Sequence, residues 1–124
     1  MEQVARKFLK LLTLEIESLA EELEVLIETL DVRLQRHEIT DYVRNENFAT
    51  LRNEVLGLRD CIRGCDSLDF SQAQNVDELV EMARKCLYDR VEERGYVPAV
   101  YRLVSQRIDK IRSYLSVDAN ASLV

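Results

Sequence analysis

The chain is poor in helix breakers, with three Gly and one Pro in 124 residues. Helix interiors tolerate neither residue well, so their scarcity leaves room for long helices and little for strand-rich or loop-rich folds. So few glycines also make a phosphate cradle hard to build, and neither a Gly-rich phosphate loop nor a dinucleotide fingerprint occurs. The single histidine, His37, excludes the Glu-x-x-His pairs of a ferritin-like di-iron site. No nucleophile–base constellation of the hydrolase types is present. No apolar run approaches the ~18 residues of a membrane span. The opening "MEQVARKFLKLLTLEIE" has a basic start, but Lys10 interrupts its leucines and no small-residue cleavage site follows. It reads as the first turns of a helix rather than a signal peptide.

Basic charge is also short. Lys and Arg total 17 against 23 Asp and Glu, a net charge of −6. That sign repels phosphate and anionic lipid, so neither nucleic acid nor membrane is expected as a partner. Three cysteines are an odd number and their spacings frame no disulfide set, so a reducing cytoplasm is the expected setting.

What remains is strongly periodic. Leu9, Leu12, Ile16, Leu19, Leu23, Leu26 and Leu30 follow one another at gaps of 3, 4, 3, 4, 3 and 4. This heptad series predicts a long packed helix over about residues 2–37. At 100° per residue, Leu11, Leu14, Val25 and Val32 gather on the opposite side. A helix apolar on two sides has neighbours on two sides. A four-helix monomer supplies only one, so these four residues are the candidate interface of a homodimer.

A second helix is predicted within 40–63, capped by Thr40 or Asp41, with Phe48, Leu51, Val55, Leu58 and Ile62 as its stripe. Ile39 and Val43 fall off that stripe, so the helix either breaks or changes partner near residues 44–47. Asn75-Val76-Asp77-Glu78 resembles a capping box that opens a third helix. Its apolar face runs from Val76 through Leu79, Val80, Ala83, Cys86 and Leu87 to Val91, and Gly95 ends it. Pro98 suits the first turn of a fourth helix with Val100, Tyr101, Val104, Ile108, Ile111 and Leu115 as its stripe. Leu68 and Phe70, in the joint between the two hairpins, are expected to fold down on the core. The expected architecture is all-α: an antiparallel four-helix bundle with one overlong N-terminal helix and coiled-coil-like packing. A single domain is placed at 1–116 and a flexible tail at 117–124.

Three features invite chemistry. "CIRGCDS" sets Cys61 and Cys65 four apart, and Cys86 follows. Three thiolates could hold corners of a zinc site. The only histidine would sit about 35 Å from Cys61 along a continuous helix two. The competing interpretation makes Gly64 the left-handed residue that ends helix two, with Cys65 packing back on the last turn. Cys86 is then one more small hydrophobe on the face of helix three.

The second feature is the acidic stretch Glu15, Glu17, Glu21, Glu22, Glu24, Glu28 and Asp31, which no base interrupts. Carboxylate pairs on helices can bind Mg²⁺. Glu21 and Glu24 form an ExxE, as Glu78 and Glu81 do. The pair is similar to that of the all-α nucleoside-triphosphate pyrophosphohydrolases, which set it against an ExxD on the next helix. Helix two carries no ExxD. A solvated face, or a match to the basic residues Arg102, Arg107, Lys110 and Arg112 of helix four, accounts for the acids otherwise.

The third is His37, which follows Arg33 more closely than the Arg and His of helical ribonucleases stand. A histidine at a helix end interacts by default with the last carbonyls and the dipole.

The sequence therefore favours a non-catalytic protein–protein interaction module, an adaptor, regulatory or assembly subunit. Its partner would be a second copy, another protein, or both, and no metal or cofactor is called for. The alternative is a metal-dependent hydrolase or a metal or redox sensor built on Cys61, Cys65, Cys86, Glu21 and Glu24.

Overall fold

A computed structural model describes the backbone of residues 1–122 and the side chains of residues 1–116. It contains four helices and, among the described residues, no strand: α1 (Glu2–Gln35), α2 (Asp41–Asp66), α3 (Val76–Arg94) and α4 (Pro98–Ser122). Each boundary has a local cause. The Thr40 hydroxyl accepts from the Val43 amide at 3.2 Å and opens α2. Asn75 Oδ1 accepts from the Glu78 amide at 2.9 Å, while the Glu78 carboxylate reaches back to the Gln74 amide at 2.7 Å. This capping box, one residue longer on its return arm than the usual form, opens α3. Gly95, at φ 71°, closes α3 in the left-handed conformation. α4 takes in residues 117–122, which the sequence assigns to the tail; Leu123 and Val124 lie outside the described residues.

The α1–α2 turn is closed by His37. Its amide donates to the Leu34 carbonyl and that of Glu38 to the Arg33 carbonyl, with His37 itself at φ 60°. These are the two bonds of a Schellman motif, with a histidine where glycine is usual.

Cross-helix pairs give the directions. Asp31 meets Arg44 and Glu24 meets Arg59, so α2 climbs as α1 descends. Asp60 meets Arg90 and the Asn53 side chain meets the Val97 amide, which reverses α3 against α2. Arg84 meets Asp109 and Arg112 meets Asp77, which reverses α4 against α3. The four helices share one core, in which Phe8, Leu12, Ile16, Leu58, Leu79, Leu87, Val100, Val104 and Ile108 are fully buried. Side chains of this size each contribute about 1.5–3 kcal/mol when buried. Leu68 and Phe70 pack on this core from the α2–α3 joint, with the Phe70 ring edge-on to Phe8 at 5.9 Å.

Two expectations are corrected and one open alternative is decided. α2 does not stop at Gly64 but runs to Asp66, with Ser67 as its cap, so Cys65 is a buried helical residue. Gly64 is there for room: a Cβ on it would lie 2.7 Å from Arg90 Cδ. Of the two alternatives left open at residues 44–47, the break does not occur: α2 is continuous from Asp41. Finally, Leu26 belongs to the heptad stripe yet is half exposed. Length is part of the reason. α4 begins at Pro98, level with Leu23, so the α1–α2 hairpin beyond that level has no α3 or α4 against it.

Candidate interaction surface

The side of α1 that faces away from α2 and α4 carries Leu14, Val25 and Val32, all strongly exposed at 51%, 57% and 43%. These are large apolar side chains in water on one stripe, and their number is what singles the stripe out. Leu11, the fourth residue of the group, lies apart from them. It is half buried, packs on the core, and lines a small groove with Glu15, Lys110, Ile111 and Tyr114 of the α1–α4 seam. At 100° per residue Leu11 sits about 60° round the cylinder from Leu14, which turns it towards α4.

The acids of α1 divide in the same way. Those on its flanks are paired. Glu15 accepts from Arg107 at 2.6 Å and lies 3.3 Å from Lys110; Glu22 shares Arg107; Glu24 accepts from Arg59 at 2.6 Å; Asp31 accepts from Arg44 at 3.0 Å. The Arg107 hydrogen bond, helped by Lys110, holds the Glu15 carboxyl below the usual glutamate range despite its partial burial. Glu17, Glu21 and Glu28, on the outer side, have no ion-pair partner among the described residues, nor does Lys10. Beside Leu14 a shallow groove is lined by Arg6, Leu9, Lys10, Thr13, Glu17 and Asp66. The outer stripe thus carries apolar residues and unsatisfied charge of both signs.

The projecting hairpin end adds to this surface. Leu26, Tyr42 and Val43 are exposed there, Tyr42 at 72%. Arg44 stacks over the Phe48 ring at 4.7 Å and pairs with Asp31, which ties the two helices together where no other helix supports them.

Of the residues that invited metal chemistry, Glu21 belongs to this stripe, while the three thiols lie away from it and close enough to one another to feel each other's charge. Cys61 and Cys65 are buried in α2, and Cys86 on α3 is half buried. Burial pushes the Cys61 thiol up to about 12, with Cys65 adding to the effect. Burial also pushes Cys65 up to about 11 against a hydrogen bond from Thr13. A ligand or nucleophile needs the thiolate, and both shifts run the other way. Glu21 is exposed, whereas Glu24 is held by Arg59. Among the described residues no three His, Cys, Asp or Glu side chains are arranged to hold a metal ion. His37 is exposed at the hairpin tip, remote from all three thiols.

Beside the thiols lies a cluster that the sequence did not single out. Asp60, 1% exposed, accepts from Arg90 Nε and Nη2 at 3.1 Å each, and lies 3.2 Å from Arg94 and 3.7 Å from Arg63. Burial acts to raise its pKa, but the Arg90 hydrogen bonds and the charges of Arg90, Arg94 and Arg63 outweigh burial and hold it below the usual aspartate range. A buried carboxylate bonded twice by Arg90 and flanked by Arg94 and Arg63 fastens α2 to α3. The signal for it was an Asp on the inner side of α2, four residues from a glycine.

No family model, curated protein or solved structure matches this chain. No helix among the described residues is long and apolar enough to cross a membrane.

Proposed function

We propose that this chain is a non-catalytic helical interaction module, an adaptor, regulatory or assembly subunit that works as a homodimer in a reducing cytoplasm. One observation carries the reading: the outer stripe of α1 combines three exposed apolar residues with Lys10, Glu17, Glu21 and Glu28, which have no ion-pair partner among the described residues, while its flanks are satisfied. Water around Leu14 and Val25 is released when a second surface covers them. The buried, protonated thiols and the fully bonded Asp60 support a structural rather than a chemical role for the interior. The free end of the α1–α2 hairpin, with Tyr42 and Val43, offers a separate place for another protein.

The test is to change Leu14 and Val25 together to Lys and to measure mass and helicity. Both side chains are exposed, so the fold should hold and the helical circular-dichroism signal should stay unchanged while the dimer is lost. An unaltered dimer would place self-association elsewhere on the molecule.

A further inference from the structure

The charges of the outer α1 stripe are distributed about Leu14 in a way that suits one partner geometry. Lys10 lies four residues before Leu14, and Glu17 lies three residues after it. Lys7 lies seven before and Glu21 seven after. The N-terminal arm of the stripe is therefore basic, the C-terminal arm acidic, and the centre apolar. Such a pattern is complementary to its own reverse.

We infer that two copies of the chain pair antiparallel through α1, on a twofold axis that passes between their Leu14 side chains. The inference rests on the homodimer reading above and narrows it: of the three exposed apolar residues Leu14 is central, Val25 is at the rim and Val32 is left outside. At 1.5 Å per residue, Lys10 sits about 6 Å to one side of the axis, and Glu17 of the second copy about 4.5 Å to the same side. The two are level within one side-chain reach, and the symmetry forms the pair twice. Glu21 of the second copy comes level with Lys7, which in its own chain lies over the Tyr114 ring at 5.1 Å. Antiparallel helices set equivalent flanks against each other, and Lys10 and Glu17, seven residues apart, occupy one flank. Val25 then meets Gln3 at the edge of the overlap, and Val32 lies beyond it.

Two other arrangements are disfavoured on the same charges. A parallel pair places Glu17 and Glu21 against their own copies. An antiparallel pair shifted so that Leu14 meets Val25 buries more apolar surface, but it brings Glu17 of one chain level with Glu22 of the other, a repulsion formed twice that offsets the Lys10–Glu28 pairs of that register. Like charges opposed across a helix pair repel, and in an interface they are the main bar to a wrong register.

The experiment is a charge swap on the full chain, read by sedimentation equilibrium. The wild type is a dimer. Lys10→Glu alone and Glu17→Lys alone each weaken it by roughly tenfold, as two pairs turn repulsive. The double variant K10E/E17K restores the wild-type dissociation constant, because opposite charges then face each other again with their signs exchanged. Leu14→Lys abolishes the dimer, and Val32→Lys leaves it intact. As a second readout, Leu14→Cys in a Cys86→Ser background, treated with oxidised glutathione, forms a disulfide-linked dimer. A wild-type dimer that ignores both charge reversals and yields no Leu14→Cys cross-link would overturn this geometry and leave self-association standing. A monomeric wild type would overturn the homodimer reading and the geometry with it.

Discussion

Asp60 accepts both arms of the Arg90 guanidinium, at 3.1 Å each, where α2 packs on α3. Gly64, one turn further along α2, makes this possible, because a Cβ there would occupy the space of the Arg90 stem. A bidentate pair with a nearly dry carboxylate is stiff and specific. It is also vulnerable to the loss of one member, since the other charges are left behind.

Asp60→Asn should therefore destabilise the chain by about 3 kcal/mol, the cost typical of breaking a buried ion pair from one side. Chemical denaturation at neutral pH measures it. A loss under ~1 kcal/mol would mean that solvent reaches the cluster freely.

The same residue sets an acid limit. Its folded pKa is depressed below the ordinary aspartate value of 3.8, so its contribution is complete above that value and falls away as pH drops through the folded pKa. Glu15, depressed chiefly by its Arg107 hydrogen bond, acts in the same direction below 4.5. Wild-type stability should decline in that acidic window, and the gap between wild type and Asp60→Asn should narrow there. A constant gap down to about pH 2 would contradict the assignment.

Gly57→Ala should also destabilise, although alanine is the better helix former. An added Cβ would lie 2.7 Å from Val100 Cγ2, on a fully buried β-branched side chain that cannot turn aside. Overpacking costs about 1–3 kcal/mol, against roughly 1 kcal/mol gained in propensity. The thermal midpoint checks the sign; a rise would show that α4 can move away from α2.

His37→Gly should stabilise by about 0.5–1 kcal/mol, because the position is left-handed and histidine carries the steric cost of a Cβ there. A loss of stability would show that the imidazole holds the hairpin tip through contacts of its own.

The thiols should differ in reactivity. Cys86 is half exposed, whereas Cys61 and Cys65 are buried with pKa values of about 12 and about 11. An aromatic disulfide reagent should label Cys86 first in the native chain, and the other two only on unfolding. Rapid labelling of all three would contradict the burial described.

Most of the architecture was legible in the sequence, because amphipathic helices advertise their buried stripes and caps are local signals. Thr40, Asn75, Gly95 and Pro98 each act within three or four residues of a helix end. The misreadings share one cause. Gly64 looked like a helix terminus because a glycine at the end of an apolar stripe has the same local pattern whether it stops the helix or makes room. What decides is Arg90, on another helix. Leu26 looked like core because the heptad continues through it, but at 100° per residue it is turned about 40° from Leu30, which stays buried, and α4 begins too late to cover it. The outer stripe was visible as Leu14, Val25 and Val32. That Glu17, Glu21 and Glu28 have no ion-pair partner among the described residues while their neighbours are paired was not, because it depends on where Arg44, Arg59 and Arg107 arrive.

Native mass spectrometry of the purified wild-type chain tests the central claim most directly. The account predicts a species of twice 14.4 kDa with no bound metal. A monomer would contradict self-association through α1, and a stoichiometric metal adduct would contradict the non-catalytic reading of the interior.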